Sequence, residues 1–197
     1  MSGVGPQPGY GVVNEQHGVL WSAARKGTLF RGGNQAVVAT GMTAGLPTTY
    51  TGGLVLYNPL GSTRNLSIRE ASFGLIVAQV AAGVMGLGVA YSGTAISGTL
   101  TAVPAVNALV GSSATPQGKL YSSASITLPV APTLACILDV ALTGAITVAT
   151  LAGLNINEIN GGIELQPGAY CVFTCSAAVT ASSFFGSFTW EETPLGQ

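Results

Sequence analysis

Side chains capable of acid–base chemistry are few in this sequence and poorly spaced for it. The one histidine, His17, lies two residues after Glu15 in a glycine-rich segment. A histidine and a carboxylate can activate a serine only when a rigid scaffold holds all three at hydrogen-bonding distance. Glu191 and Glu192 are adjacent, so on a strand they point to opposite faces, and Asp139 lies in an apolar run that favours a backbone partner. We therefore expect no catalytic residue and no enzymatic activity.

The cysteines are the other residues with possible chemistry. Cys171 and Cys175 would share one face of a strand at about 13 Å, which is too far for a mutual disulfide. Cys136 is the third, and an odd set does not suit a disulfide framework. A zinc site needs more ligands close in sequence, and the Gly83–Gly88 run lacks the strand–turn–helix context of a dinucleotide site. We expect free buried thiols, no metal and no cofactor.

The charge content is unusually low and indicates a covered surface. Only 7% of the 197 residues are charged and 48% are hydrophobic, with a net charge of −1. Ordinary soluble domains are roughly a quarter charged, and a charge-poor apolar surface is typical of a permanent interface. Nucleic-acid binding needs clustered cations, and the only local cluster is Arg25, Lys26 and Arg31. We expect partners to cover the chain, and we expect no binding to nucleic acid.

One long uncharged run, from Phe73 to Tyr91, has the length of a membrane-spanning helix. It contains four glycines and Gln79, and no basic residues follow it as a topology signal would require. The β-branched residues towards its end favour a strand. The first residues lack the basic and apolar regions of a signal peptide. We expect the protein to be made in a cytoplasm, and we expect no association with a membrane.

The segment 1–35 is predicted to be an extended N-terminal arm. It contains repeated glycines, two prolines and no sustained helical or strand period. Its isolated apolar residues, Trp21 and the pair Leu29 and Phe30, are spaced as anchors for an arm that lies along neighbouring subunits. The alternative is a disordered leader in which these residues have no role.

Residues 36–197 are predicted to form one β domain of about eight strands. Short β-branched or alternating runs recur there between turns, without helical patterns, as in a sandwich or jelly roll. The pattern places Tyr170 on one face of a strand and Cys171 on the other. Phe184, Phe188 and Trp190 share one face of the last strand, which is rich in aromatics and expected at the centre of a sheet. The fold class is therefore all-β, a jelly-roll-like antiparallel β-sandwich with an extended N-terminal arm.

Two parts of this domain resemble a known group, the jelly-roll virion proteins of tailed bacteriophages. The first is Gly53–Pro59 with Gly61–Ser62 and Leu66–Ile68, which resembles the opening strands of the group. The second is Ile163–Tyr170 followed by Gly186–Glu192, which resembles its final strands. The group is itself similar to the trimeric sandwich of the TNF and C1q proteins.

The resemblance implies a homotrimer on the capsid surface of a virion, bound to the major capsid protein. A head decoration, or cement, protein of this kind staples neighbouring coat subunits and stabilises the shell. Trp21, Leu29 and Phe30 would then anchor the arm to neighbouring subunits. The aromatic residues Phe184, Phe188, Trp190 and Tyr170 would form trimer or core contacts.

A second function remains open, that of a fibre or spike module that binds a receptor or glycan on a host surface. The loops are rich in serine, alanine and glycine and poor in aromatics, which weakens this hypothesis. Tyr50, Tyr91 and Tyr121 keep it in consideration.

Overall fold

The computed structural model describes residues 10–34, 44–50, 53–75, 83–122, 125–141, 155–177 and 184–196. The described chain is almost entirely β-structure, with a single helix at its start, so the prediction of an all-β sandwich is confirmed. The elements are α1 (Tyr10–Arg25), β1 (Leu29–Gly33), β2 (Thr49–Tyr50), β3 (Leu54–Tyr57), β4 (Arg64–Leu75), β5 (Gly83–Tyr91), β6 (Ser97–Thr99), β7 (Ala102–Val103), β8 (Val106–Asn107), β9 (Lys119–Ser122), β10 (Ser125–Thr127), β11 (Thr133–Ala141), β12 (Asn155–Leu165), β13 (Ala169–Cys175) and β14 (Phe184–Pro194).

These strands form three sheets. The first has the order β12-β4-β14-β1-β8, the second β11-β5-β13-β3-β9-β7, and the third β2-β10-β6. All of the named pairs are antiparallel, as expected where hairpins and long returns, rather than helices, connect the strands. The aromatic strand β14 lies between β4 and β1, which confirms its predicted central position.

Eight of the strands form the body of the sandwich, and their pairing is nested. β1 pairs with β14, β3 with β13, β4 with β12, and β5 with β11. The pairs β14–β4 and β13–β5 then join these units into two sheets of four. The short strands from β6 to β10 extend these sheets or build the third one.

Two apolar cores hold the layers together, and β13 contributes to both. Cys171 and Phe173 belong to the larger core between the first and second sheets, whereas Tyr170 and Val172 belong to a smaller core beneath the third sheet. Every residue of β13 is buried. The period-two alternation of this strand, predicted from its sequence, is therefore confirmed, with apolar surroundings on both faces.

The four aromatic residues predicted as trimer or core contacts are all core residues. Phe184, Phe188 and Trp190 lie in the larger core on one face of β14, and Tyr170 lies in the smaller one. Each has no exposed surface in the single chain. They are therefore core contacts of the single chain, and a side chain fully enclosed by its own chain has no area left for contacts between copies.

The N-terminal segment is not an extended arm over the range that the structure describes. Residues Tyr10–Arg25 are helical, with Gly18 interrupting the helix at φ +71°, and Leu29–Gly33 is a strand of the first sheet. The sandwich therefore begins by Leu29 rather than at residue 36. The β-branched run at residues 36–40, which opens the predicted β domain, lies outside the described residues.

The apolar run from Phe73 to Tyr91 contributes to two strands, β4 and β5, with residues 76–82 outside the described range. No helix in the described ranges is both long and apolar enough to cross a bilayer. The glycines of β5 permit close packing between layers: a Cβ on Gly88 would lie 2.6 Å from Leu46 Cδ2.

The buried carboxylate of Glu192 fixes the chain entering β9. It accepts hydrogen bonds from the backbone N–H groups of Gln117 (3.1 Å) and Gly118 (2.9 Å) and from Trp190 Nε1 (3.2 Å). Glu191, its neighbour, points to the other face of β14 and pairs with Arg69. The two carboxylates therefore lie on opposite faces, as the sequence predicted. A buried charge satisfied by several donors is tolerated because those donors replace its lost hydration.

Candidate interaction surface

A groove lies on the outer face of the first sheet, between α1 and the chain around β8. It has a volume of about 340 Å³. We call it the α1–β8 groove, and its lining residues are Leu20, Trp21, Ala24, Leu29, Arg31, Val106, Asn107, Ala108 and Val110. Most of these side chains are apolar, so the groove offers a surface suited to burial against another protein.

Hydrogen bonds from three elements hold the groove in shape. Asn107 Nδ2 donates to Gly27 O at 2.8 Å, and Ala108 N donates to Leu29 O at 2.9 Å. On the other side of the turn, Glu192 N donates to Thr28 O at 2.9 Å. The chain that follows α1 is therefore tied to the β8 region and to β14 by one side-chain and two backbone hydrogen bonds, and the groove is preorganised before any partner binds.

The three predicted anchor residues have different positions. Trp21 is half-buried in the wall of the groove, with the Arg25 guanidinium 5.3 Å from its ring centroid, so it remains accessible to a partner. Leu29 forms the groove floor but is only 1% exposed. Phe30 points to the opposite face, where it stacks on Trp190 with 6.1 Å between ring centroids. The prediction that Leu29 and Phe30 anchor neighbouring subunits is thus corrected, since both are enclosed by their own chain.

The most exposed apolar residues near the groove had not been singled out from the sequence. Val110 is 94% exposed, and Val106 and Leu109 are also exposed. Their sequence region is rich in Gly, Ser and Ala and carries no periodic signal. They meet α1 only because β8 pairs with β1, with Val106 opposite Arg31. The only signal in the sequence is the presence of apolar residues within this turn-forming segment.

A charged cluster closes the other side of α1. Arg69 forms an ion pair with Glu191, and Thr28 Oγ1 donates to the same carboxylate at 3.4 Å. With Lys26 and Gly18, the pair lines a cleft of about 270 Å³. The ion pair joins β4 to β14, and Thr28 links it to the end of α1. Pairs of this kind contribute modestly to stability.

A second apolar surface lies at the opposite edge of the molecule. Leu134 and Ile137 of β11 are exposed, the latter by 60%. They lie opposite Gly88 and Gly86 of β5, on the face of the second sheet that points away from the larger core. The ladder between β11 and β5 shifts register twice, and such irregularities discourage continuation of the sheet by another strand. A side-chain contact with a second copy suits this edge better than strand addition.

The cysteines form no disulfide among the described residues. All three are free thiols, as predicted, and Cys171 and Cys175 are buried. Burial raises the pKa of both Cys171 and Cys136, so neither is poised as a thiolate. Within the described ranges, no three His, Cys, Asp or Glu side chains lie together as a metal site would require. His17 is part of α1, and its side chain falls outside the described residues.

No protein family model, curated protein or solved structure matches this chain.

Proposed function

We propose that this chain is a virion structural protein, a head decoration (cement) protein of a tailed bacteriophage that trimerises and binds the major capsid protein. The segments that resemble this group fall on structurally central elements. Residues 53–59 include β3, and residues 163–170 span the turn between β12 and β13. The resemblance therefore concerns the body of the sandwich rather than its loops.

The nested strand pairing supports this proposal. Pairing the first body strand with the last, the second with the seventh, the third with the sixth and the fourth with the fifth gives a rolled-up hairpin. That arrangement is characteristic of a jelly roll, an architecture shared by many viral capsid domains. A fold alone does not specify function, so the argument depends on the surface.

The observation that carries the proposal is the exposed apolar surface around the α1–β8 groove in a chain with so few charges. Trp21, Val106 and Val110 lie there with Arg31 at the rim. Half-buried aromatic residues surrounded by apolar neighbours are the usual centres of binding energy in protein interfaces. We assign this surface to the capsid shell, and the Leu134–Ile137 edge to contacts between copies.

The mechanism is stabilisation by linkage. A protein that binds the assembled shell, and not the separated coat subunits, shifts the equilibrium towards assembly by the free energy of that binding. The role needs no catalytic group, cofactor or nucleic-acid contact. It does need a rigid body with two adhesive surfaces, one for its own copies and one for the shell.

The first test is head binding by Val110→Asp. Val110 is 94% exposed, so the substitution should leave folding intact while placing a charge in the proposed interface. We expect affinity for undecorated heads to fall by roughly tenfold or more, because an unpaired charge would be desolvated on binding. Cosedimentation and cryo-electron microscopy of the heads would measure the occupancy.

Ile156→Asp is the matched control. Ile156 is also exposed, at the far edge of the first sheet, so the same charge there should leave head binding unchanged. Equal losses in both variants would contradict the assignment of the groove. Failure of the unsubstituted chain to occupy heads would contradict the decoration role itself.

The alternative, a fibre or spike module, retains one favourable observation. Tyr91 is an exposed aromatic residue at one end of the sandwich, where glycan-binding residues are commonly displayed. Binding to host cells or their polysaccharide, without any binding to heads, would favour this alternative over decoration.

A further inference from the structure

A further cleft lies at one end of the sandwich, and its lining contains none of the residues assigned above to the two adhesive surfaces. It has a volume of about 470 Å³, within the range of about 300–1,000 Å³ typical of small-molecule sites. Residues of β4, β5, β12 and β13 line it, together with the turn that joins β12 to β13. Its floor is apolar, since Leu165 and Ala169 are both buried core residues.

An aromatic ring stands at the mouth of this cleft. Tyr91 ends β5 and is 55% exposed. The turn residue Gly168 supports it: a Cβ on Gly168 would lie 3.2 Å from Tyr91 Cε2 and 2.9 Å from Leu60 Cδ2. Ser92 N also donates to Gly168 O at 3.2 Å. The ring is therefore held by its own chain on one side while much of its surface remains open.

Gly168 has to be glycine for this support to exist. Its φ of +93° lies in the left-handed region, and an added Cβ would come within 2.5 Å of Ser92 O. The proline–glycine turn thus allows the backbone to approach the ring closely. This close approach reduces the freedom that Tyr91 would lose on binding a ligand.

Polar side chains also line the cleft. Glu164 and Gln166 line the cleft and are exposed, and no hydrogen bond joins their side chains to the described residues. Asn65 also lines the cleft, and its Oδ1 is buried without a hydrogen-bond partner. The cleft therefore offers acceptors for several hydroxyl donors beside an aromatic surface.

We propose that this cleft binds a neutral saccharide ring, with one apolar face of the sugar on Tyr91. A pyranose has a face of C–H groups that packs against an aromatic ring and an edge of hydroxyls that donate hydrogen bonds. Glu164 accepts from two such hydroxyls and Gln166 both donates and accepts, whereas the negative charge of Glu164 disfavours acidic sugars. This site does not depend on the decoration role, because the cleft is the same whether the protein is a decoration protein or a fibre module.

Saturation-transfer NMR on the full chain tests the site. The probes are methyl α-D-glucopyranoside, methyl β-D-galactopyranoside and N-acetylglucosamine. At least one should receive saturation, with a dissociation constant on the order of millimolar, because a single ring offers few atoms for binding. Tyr91→Ala should abolish the transfer, and Tyr91→Phe should retain it, since the ring surface and not the hydroxyl forms the platform.

A matched pair on β12 separates a specific contact from a change in net charge. Glu164→Gln should weaken binding by at least about fivefold, whereas Glu158→Gln, outside the cleft on the same strand, should leave it unchanged. Thermal melting of each variant checks that the fold is kept. Transfer to none of the three sugars, unchanged binding in Tyr91→Ala, or equal effects of the two glutamine variants would each overturn the proposal.

Discussion

The buried hydroxyl of Tyr50 joins two layers of this sandwich. Tyr50 lies in the smaller core, and its hydroxyl donates to Phe173 O across to β13. Burial raises the pKa of Tyr50 well above its ordinary value, with a hydrogen bond to Thr174 acting in the opposite direction. The Tyr50 hydroxyl is thus a neutral cross-link between the third sheet and the second.

This raised pKa predicts a loss of stability in alkali. Above pH about 10, Tyr50 ionises in the unfolded chain but keeps its proton in the folded one, so the free energy of unfolding falls as the pH rises. The raised pKa of Cys171 acts in the same direction. Tyr50→Phe should lower stability by about 1–2 kcal/mol near neutrality and should make the alkaline decline shallower.

Urea unfolding followed by circular dichroism at a series of pH values would measure both effects. The two proteins are compared by the slope of the free energy of unfolding against pH. The loss of stability at neutral pH from the missing hydrogen bond does not affect that slope. A variant that declines with pH as steeply as the unsubstituted protein would contradict the role of the Tyr50 hydroxyl.

At the scale of elements, β1 connects the helix to the core. Its residues alternate between the two faces, so Leu29 packs beneath α1 while Phe30 stacks on Trp190. Strand β1 also covers the edge of β14 that would otherwise be open, because it pairs with β14 along all five of its residues. Removing β1 would uncover both Trp190 and a row of backbone groups.

Two truncations should therefore behave differently. Deletion of residues 1–35 removes β1 and should prevent cooperative folding or cause aggregation through the exposed edge of β14. A chain beginning at Gly18 keeps β1 and Ala23, which is buried, and should fold with a melting temperature within several degrees of the full chain. Differential scanning calorimetry would compare them, and a folded, cooperative 1–35 deletion would contradict this account.

The strands that the sequence predicted well are those with strict alternation. In β13, Tyr170 and Cys171 point to different cores as predicted, because period-two geometry depends only on the strand itself. Helix α1 was missed because Gly18 interrupts any helical period, and the packing of Ala23 on the sheet compensates for the weak local preference.

The α1–β8 groove could not be predicted for a different reason. Trp21 was identified as an anchor, but its neighbours Val106 and Val110 lie far along the chain. They come together only through the pairing of β8 with β1, which depends on a strand of two residues. Such a short strand carries no recognisable sequence signal, so contacts built on it become visible only in three dimensions.

At the scale of the whole molecule, the low charge content favours self-association. The described surface exposes apolar side chains at both ends of the sheets, including Val110 and Ile137. With 7% charged residues, few repulsive contacts oppose the approach of another copy. The proposed trimer would bury part of this surface while leaving the α1–β8 groove available.

Sedimentation equilibrium should therefore give three times the chain mass at moderate concentration. Ile137→Asp should shift the equilibrium towards monomer, because it places a charge on the exposed edge of β11 assigned to contacts between copies. Val110→Asp should leave the mass unchanged. A monomer that persists at high protein concentration would contradict the proposed assembly.

The nested pairing has a consequence for how the chain is made. Strand β1 leaves the ribosome early, yet its long partner β14 is the last of the described strands to be synthesised. Until β14 is synthesised, Phe30 lacks its stacking partner Trp190. The apolar surface of the nascent chain therefore stays exposed, with few charges to keep it from associating with other chains. Closure of long-range β-pairs is slow. We therefore expect efficient production to depend on chaperones that shield the growing polypeptide until translation passes β14.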